Sequence, residues 1–296
     1  MVGAVDYSLA QPIYQEHASR YEKWVANQSH DQMKYLERGL DRRLNPKLVF
    51  PELEGVIAVA RPYAAQPVGS SAPGEVRYAR YLNGIDYHEN MKQDLERTME
   101  QLKSTLQFPE NFSYKVCVDT SAVLERTWAV LTGLGWIGKN TLLIHPQLGS
   151  YLFLGVIFTN AKFEKSPTRL KDYCGNCTRC LQSCPTQAFT EPHYLESKKC
   201  ISYLTLEKRG TWEQKIDTKG FVAGCDICQE VCPYNTKAAK SAESEESAAY
   251  LVKDLTILSK ETPEEYQKRV AGTALSRVKY DDFQRNLKAV ISSTEV

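Results

Sequence analysis

The run Cys174-Gly-Asn-Cys177-Thr-Arg-Cys180-Leu-Gln-Ser-Cys184-Pro185 is the most informative stretch of this 296-residue chain. A second run, Cys225-Asp-Ile-Cys228-Gln-Glu-Val-Cys232-Pro233, repeats the Cys-Pro ending but is one cysteine short. Cys200 lies between the two runs and can supply the missing thiolate. These are eight of the nine cysteines in the chain. In a reducing cytosol, such a concentration of cysteines is typical of a metal or catalytic site rather than of disulfides.

The first run has the C-x2-C-x2-C-x3-C-P spacing of bacterial ferredoxins that carry two [4Fe–4S] clusters. There, three thiolates bind one cluster and the cysteine before proline binds the other. We therefore expect cluster one to take Cys174, Cys177, Cys180 and Cys232, and cluster two to take Cys184, Cys200, Cys225 and Cys228. A structural zinc site is the alternative, but zinc usually takes four ligands as two separated pairs. Cys117, the ninth cysteine, lies in a predicted strand and is interpreted as a small core residue.

Composition limits the class of protein further. Lys plus Arg number 37 against 36 Asp plus Glu, a net charge of +1, which excludes a strongly basic nucleic-acid coat protein but not a local basic face. No apolar run approaches the ~18–20 residues of a membrane helix, and the N-terminus lacks the pattern of a secretory signal. We expect a cytoplasmic protein with no membrane contact.

Hydrophobic periodicity divides the chain into a helical start to about residue 50, an α/β region to about 165, the cysteine-rich stretch and a helical tail. Predicted strands cover 56–60, 114–119, 141–145 and 150–160, and predicted helices cover 91–106 and 124–134. The segment KAAKSAESEESAA (237–249) is either a solvated linker or a polar helix, and we favour the linker. In the tail, Phe283, Leu287 and Val290 share one helical face. The expected domains are 1–165, 166–236 and 237–296, in a mixed α/β and α+β fold with a ferredoxin-like double-cluster domain and a short helical extension.

Two glycine- and histidine-containing motifs only partly match known patterns. Gly133-Leu-Gly-Trp-Ile-Gly-Lys-Asn140 fits G-x-G-x-x-G, but the predicted helix precedes it and the strand follows, opposite to a dinucleotide site. As a P-loop it fails, because Asn140 replaces the magnesium-binding hydroxyl. Asp86-Tyr-His88 begins like the D-x-H-x-x-G cobalamin motif, but Met91 replaces the glycine. His88 is therefore interpreted as a polar residue at a helix N-terminus.

Together these segments resemble epoxyqueuosine reductase, the cobalamin-dependent family that completes queuosine in tRNA. The resemblance covers nearly the whole chain and is specific only in combination. It rests on both cysteine runs and on VFPELEGVIAVARPY (49–63), YARYLNGIDYH (78–88), KVCVDTSAVLERTWAVLTGLGWIGKNTLLI (115–144) and GTALSRVKYDDFQRNLKAV (272–290). The chain resembles a short form without the full HEAT-like repeat domain of some members.

The resemblance implies an N-terminal domain that binds base-off cobalamin, and a reaction that reduces the epoxide of epoxyqueuosine at the tRNA wobble position to the alkene of queuosine. The clusters would relay electrons to cobalamin, which reaches Co(I), and a protein acid would protonate the leaving oxygen. We expect Asp119 to be that acid, with its pKa raised by a desolvating corrin. The alternative from the residues alone is that Asp119 caps the helix that follows. Tyr81 and Tyr87 are alternative donors.

The resemblance also suggests which residues bind cobalamin and RNA. The candidate cobalamin contacts, besides Asp119, are Arg43, Tyr81, Lys139, Asn140, Ser202, Asp226 and Ile227. The candidate RNA contacts are basic residues, since phosphate binding needs local positive charge. They are Lys162, Lys165, Arg169, Lys171, Lys198, Lys199, Lys208 and Arg209.

The expected partners are a tRNA anticodon stem-loop and an electron donor such as a flavodoxin or ferredoxin system, with the enzyme itself a monomer. Two other interpretations remain open. A reductive dehalogenase shares the combination of corrinoid and two clusters, although those enzymes usually carry a twin-arginine export signal. A ferredoxin-type electron carrier would do no chemistry of its own and would bind no cobalamin.

Overall fold

The computed structural model describes residues 1–63, 68–70, 72–168, 170–238 and 248–294. Most of the predicted linker 237–249, and Arg169 among the predicted RNA contacts, lie outside these residues.

Short strands alternate with helices along the N-terminal half of the chain. The described strands are β1 Val2–Asp6, β2 Gly55–Pro62, β3 Val68–Gly69, β4 Arg77–Tyr78, β5 Tyr114–Cys117, β6 Trp136–Ile137, β7 Leu143–Ile144, β8 Leu152–Thr159, β9 Phe189–Glu191, β10 Tyr194–Leu195 and β11 Phe221–Ala223. The strands predicted at 56–60, 114–119, 141–145 and 150–160 correspond to β2, β5, β7 and β8.

The helices are longest at the two ends of the chain and in the middle of the α/β region. They are α1 Tyr7–Ala26, α2 Tyr35–Arg38, α3 Leu40–Leu44, α4 Tyr87–Thr105, α5 Glu125–Leu131, α6 Arg179–Gln182, α7 Ile201–Leu206, α8 Ile227–Glu230, α9 Pro233–Ala238, α10 Leu255–Lys260, α11 Pro263–Val270 and α12 Tyr280–Thr294. None of the described helices combines the length and apolarity required to span a membrane.

The main sheet is antiparallel, in the order β1-β2-β8-β5. Strand β1 corrects the prediction that the chain begins with helix. Its VGAVD sequence pairs along β2, with Val2 opposite Val59, and this pairing buries Val5. Asp6 then caps α1, because its Oδ1 accepts the backbone N–H groups of Ser8 and Leu9.

Helices cover both faces of this sheet because successive strand residues point to opposite sides. On one face, the ring of Trp128 from α5 stacks on Tyr14 from α1, with ring centroids 4.5 Å apart, over the buried Phe158. On the other face, Met91 and Leu95 of α4 pack against Ile157. Cys117 belongs to the first of these cores and is fully buried, as predicted.

The cysteine-rich stretch and the N-terminal region share a small sheet. Strand β11 pairs in parallel with β4, and β4 pairs with β3 in an antiparallel hairpin. The N-terminal region therefore packs directly beside the cysteines that follow β11. The predicted domain boundaries remain a prediction.

The C-terminal helices form a separate core around the predicted apolar face of α12. Phe283, Leu287 and Val290 are buried there with Tyr78 and Val222. Fully buried Asn286 donates from Nδ2 to the carbonyl oxygens of Thr205 (2.7 Å) and Val222 (2.9 Å). The extension therefore supports α7 and β11, the two elements adjacent to the predicted ligands of cluster two.

Candidate functional site

The four cysteines predicted for cluster one lie together. Cys174, Cys177, Cys180 and Cys232 all line one cavity of about 230 Å³. Burial raises the pKa of the Cys180 thiol to about 11, and the nearby thiols of Cys174, Cys232 and Cys177 act in the same direction. Short helix α6 follows Cys177, and Pro233 begins α9 directly after Cys232. Local turns therefore present all four sulfurs to one space.

The four cysteines predicted for cluster two form a second group, and each of them is partly buried. Burial raises the pKa of the Cys225 thiol, and the neighbouring thiols of Cys200 and Cys184 add to the effect. Cys228 shows the same direction, caused first by burial and then by Cys225 and Cys200. Among the described residues, no three Cys, His, Asp or Glu side chains converge as ligands of a single ion. Two groups of four neighbouring thiols, the first of them around a cavity, are a donor set that fits two [4Fe–4S] clusters.

The hairpin of β6 and β7 covers the cluster-one cavity. Lys139, at its turn, donates from Nζ to the carbonyl oxygens of Gly175 (2.6 Å) and Cys177 (3.0 Å). Asn140 is buried and lines the same cavity. The structure thus places Lys139 and Asn140 at cluster one, whereas the sequence suggested that they contact cobalamin. Helix α5 precedes this glycine-containing motif, β6 lies within it and β7 follows it, so helix comes before strand as predicted, which is opposite to the order of a dinucleotide-binding turn.

Asp119 lies in the loop between β5 and α5 in a left-handed conformation, with φ 47°. Helix α5 begins at Glu125 and has Leu124 as its N-cap, with no side-chain capping bond. The alternative interpretation of Asp119 as a helix cap is therefore wrong. Its carboxylate is half exposed, and its Oδ2 lies 2.8 Å from Nε2 of His88. A non-glycine residue in this backbone region is strained, and such strain is common at functional sites.

His88 connects two carboxylates. It is in the first turn of α4, where Asp86 accepts its backbone N–H at 3.0 Å, so its predicted place at a helix N-terminus is confirmed. Its Nδ1 also lies 2.5 Å from Asp86 Oδ1, while its Nε2 faces Asp119. Burial lowers the pKa of His88, but its contacts with Asp119 and Asp86 outweigh burial and raise that pKa overall.

Asp119 also faces cationic and phenolic groups from distant parts of the chain. Arg277, from the C-terminal region, places Nη1 3.8 Å from Asp119 Oδ2. Burial raises the pKa of Asp119, but His88, Arg277 and the hydroxyl of Tyr87 together hold it below its usual value. The expectation of a pKa raised by a desolvating corrin stays a prediction; in the protein alone, Asp119 is a carboxylate paired with a histidine whose pKa is raised.

Three aromatic side chains, Tyr81, Tyr87 and Phe153, form a wall beside the Asp119–His88 pair. Tyr87 stacks on Phe153 with ring centroids 4.0 Å apart, and Tyr81 meets Tyr87 edge-on at 6.2 Å. Burial raises the pKa of Tyr81 well above its usual value, and the charges of Asp119 and Asp226 both contribute. Tyr81 is therefore near the carboxylate on one side and near the loop of cluster-two ligands on the other.

The remaining predicted cobalamin contacts of this region differ in accessibility. Asp226 is buried, and its Oδ2 accepts the backbone N–H of Arg80 at 2.8 Å, which ties the cluster-two loop to the N-terminal region. Burial raises the pKa of Asp226 to about 6, although the backbone N–H and the charge of Arg80 oppose it. Ile227 and Ser202 are only partly buried, next to Cys228 and Cys200 respectively.

A basic pocket of about 380 Å³ opens beside Asp119. Thr120 and Ser121, the next residues of the Asp119 loop, form part of its wall. Arg43 is buried at this pocket, and its Nη1 has no hydrogen-bond partner. The pocket's basic residues are Arg38, Arg42, Arg43 and Lys115.

Several of the basic residues predicted to contact RNA are paired within the protein. Lys199 lies 2.9 Å from Glu196, and Lys208 and Arg209 face the carboxylates of Asp31 and Asp282. The basic pocket was not among the sequence predictions, nor was the convergence of His88 and Arg277 on Asp119. The sequence carried one signal for this convergence. His88, Asp119 and Arg277 lie in the quoted segments 78–88, 115–144 and 272–290, respectively.

Two family models match the chain at these regions. Residues 43–120 match the model described as "Epoxyqueuosine reductase QueG, DUF1730", and residues 173–235 match the "4Fe-4S double cluster binding domain".

Curated proteins and solved structures match over nearly the whole chain. An epoxyqueuosine reductase from Synechocystis is 36% identical, over 93% of this chain and 95% of that protein. The crystal structure of an epoxyqueuosine reductase with an epoxyqueuosine-modified tRNA-Tyr stem loop superimposes with a TM-score of 0.81 and 27% identity, over 99% of this chain and 77% of that chain. A Bacillus subtilis epoxyqueuosine reductase with its catalytic aspartate loop swung out of the active site has a TM-score of 0.80 and 26% identity, over 99% of this chain and 77% of that one.

Proposed function

Because the chain belongs to the epoxyqueuosine reductase family, we propose that it reduces epoxyqueuosine at the wobble position of tRNA to queuosine. Two [4Fe–4S] clusters held by the eight cysteines would supply single electrons, and a cobalamin held beside them would supply the strongly reducing centre. The matched relatives cover almost the whole chain, including both the N-terminal region and the cysteine-rich stretch.

One observation carries this proposal: the aromatic wall connects an acid–base pair to an electron-transfer site. Asp119 contacts His88, the Tyr87 ring lies against the His88 ring, Tyr81 meets Tyr87, and the charges of Asp119 and Asp226 both act on Tyr81. A simple electron carrier has no need of a carboxylate–imidazole pair in a cleft. A reductase of an oxygen-containing ring needs both groups within reach of one substrate.

The reaction balances with two electrons and two protons. The epoxide loses its oxygen as water, and its two carbon atoms become joined by a double bond. We propose that the Asp119–His88 pair stores the proton for the departing oxygen. Since the pKa of Asp119 is low and that of His88 is raised, this proton resides on the imidazole before substrate binds, and Asp119 passes it to the oxygen. Asp86 holds Nδ1 of His88, which orients the ring toward Asp119.

The residues beside the Asp119–His88 pair fit a large planar cofactor. Cobalamin supplies a strongly reducing metal centre, and the aromatic wall of Tyr81, Tyr87 and Phe153 offers the flat apolar surface that a corrin requires. Tyr81, Ser202, Asp226 and Ile227 lie on the cluster-two side, and we retain them as proposed contacts together with Arg43. For Lys139 and Asn140, the cavity that they line makes cluster one the proposed site of action.

The basic pocket is the proposed binding surface for the RNA backbone. Arg38, Arg42 and Lys115 are exposed there, directly beside the Asp119 loop. Phosphate contacts at this position would hold the nucleotides next to the wobble base while that base enters the cleft. The strained Asp119 loop corresponds in its role to the mobile catalytic aspartate loop of the Bacillus subtilis enzyme.

We further propose that the enzyme works as a monomer in the cytoplasm, with a low-potential donor such as a flavodoxin or ferredoxin. The cluster-one cavity reaches the surface between the half-exposed Tyr173 and the exposed Arg179, which is a position where such a donor can approach. Size measurement of the holoenzyme and reduction by each donor under anaerobic conditions test these points.

The deciding experiment is anaerobic purification, incubation with cobalamin, metal analysis and an assay on epoxyqueuosine-containing tRNA. We expect roughly eight irons and one cobalamin per chain, with formation of queuosine. Roughly eight irons without cobalamin uptake would instead indicate an electron carrier. Cobalamin uptake with turnover of organohalides, but not of the tRNA, would indicate a dehalogenase. Zinc in place of iron would contradict the cluster assignment.

A further inference from the structure

The glycine-containing hairpin over cluster one has no role in the proposed chemistry at Asp119. Its strand β6 carries Trp136, whose side chain is buried against Cys232 and Cys174. The indole ring lies edge-on between Tyr173 and Tyr234, at centroid distances of 5.1 and 4.9 Å. These rings hold the indole in one orientation.

The indole of Trp136 lies beside the sulfur of Cys174. Its Nε1 is buried and has no hydrogen-bond partner of ordinary geometry among the described residues. The Cys174 thiol is the group it faces, and the backbone N–H of Lys139 faces the same sulfur. A buried N–H without a partner is unfavourable, so the position of Trp136 makes sense when the sulfur carries the negative charge of a cluster ligand.

A positive charge lies on the same side of the cavity. The ammonium group of Lys139 is held by the carbonyl oxygens of Gly175 and Cys177, within the loop of cluster-one ligands. Asp172 opposes it with one negative charge, since its Oδ1 accepts the backbone N–H of Cys174 at 2.8 Å. The described residues of the cavity therefore combine two N–H donors and the cations of Lys139 and Arg179 against the carboxylate of Asp172.

We propose that Trp136 and Lys139 raise the reduction potential of cluster one by donating to its sulfur ligand and placing a positive charge beside it. Reduction adds one electron to the cluster, and N–H donors and cations stabilise the more negative state. The effect is stronger in a buried site than in water because the local dielectric constant is lower. The inference rests on the proposed clusters, but not on the identity of the substrate.

Anaerobic potentiometric titration of the holoenzyme, followed by electron paramagnetic resonance, tests this role. Trp136→Phe removes the N–H and keeps an aromatic ring, and Lys139→Met removes the charge at nearly the same length. We expect each variant to lower one of the two midpoint potentials and to leave the other unchanged, with Lys139→Arg restoring the wild-type value. The matched control is Trp24→Phe, whose indole N–H donates to the carbonyl oxygen of Leu195 at 2.7 Å; both its potentials should equal those of the wild type.

Unchanged potentials in iron-replete Trp136→Phe would overturn the proposal. If that variant loses iron, the wild-type enzyme labelled with indole ¹⁵N provides the second test. Pulsed resonance of its reduced form should show a ¹⁵N coupling to a cluster, and its absence would equally overturn the role of Trp136. A wild-type protein without iron would mean that the proposed function fails, which is distinct from either result.

Discussion

Replacing His88 by Gln and Asp119 by Asn, singly and together, should show that the two side chains act as one acid. Nε2 of His88 lies 2.8 Å from Oδ2 of Asp119, so the pair forms a charge-assisted hydrogen bond. Removal of either residue therefore disturbs the same stored proton.

The expected sizes follow from this contact. A hydrogen bond to a charged group contributes about 1.5–3 kcal/mol. Since the Asp119 side chain is 50% exposed, water weakens the bond and the lower end of that range applies. One factor of ten in rate corresponds to about 1.4 kcal/mol, so His88→Gln should slow the reaction about tenfold. Asp119→Asn removes the donor itself and should cost about 10²–10⁴-fold.

The assay is a single turnover of pre-reduced holoenzyme with an epoxyqueuosine-containing stem loop, quantified by mass spectrometry of the nucleosides. Iron and cobalamin contents of all variants must match the wild type. The double variant should be no slower than Asp119→Asn, because the proton on His88 has no carboxylate to pass it to the oxygen once Asp119 is replaced. A further tenfold loss in the double variant would refute the coupling and place His88 in a separate role.

Four other outcomes are expected. In a pH titration followed by NMR, the pKa of His88 should lie above the usual histidine value, because its bonds to Asp119 and Asp86 outweigh burial. His88 should lose its positive charge as the pH rises through that raised pKa. Asp119→Asn should lower the pKa of His88. Asn286→Leu leaves the buried carbonyl groups of Thr205 and Val222 without their partner and should reduce the free energy of unfolding by about 2–4 kcal/mol. Denaturant titration measures this change, and a change below about 0.5 kcal/mol would contradict the structure. Arg42→Gln should weaken RNA binding at all sequences and reduce the salt dependence of log Kd by about one, while cobalamin uptake stays unchanged. Cys232→Ser should lower the iron content by roughly four per chain, whereas Cys117→Ser, in the core, should lower stability and leave iron unchanged.

The elements of the α/β region were predictable because each has its own local pattern. Val56 to Ala60 form a short apolar run, and Met91, Leu95 and Met99 repeat at helical spacing and are buried as that spacing requires. Strand β1 was missed because five residues at the chain start are too few to show alternation. It is a strand because β2 offers it an edge for pairing.

The candidate site was only partly predictable for the same reason. The fold class, the family, the cofactors and the reaction follow from motifs, and the comparisons support all four. The direction of the Asp119 pKa does not, because it depends on a histidine from another helix and an arginine from the C-terminal region. Lys139 was assigned to cobalamin from its motif, and only the packing of its hairpin shows that it holds the cluster-one loop.

By itself, the sequence predicted which cysteines lie together locally, since spacings of two and three residues act within single turns; the assignment of Cys184, Cys200 and Cys232 follows the ferredoxin pattern. Tertiary structure alone decided what surrounds those groups. It brought His88 and Arg277 to Asp119 and Trp136 to Cys174, and through these neighbours it set the charge state of the acid and the polarity around the sulfur. The physical reason is that pKa values depend on groups within a few ångströms, and such contacts between distant segments leave no periodic trace along the chain.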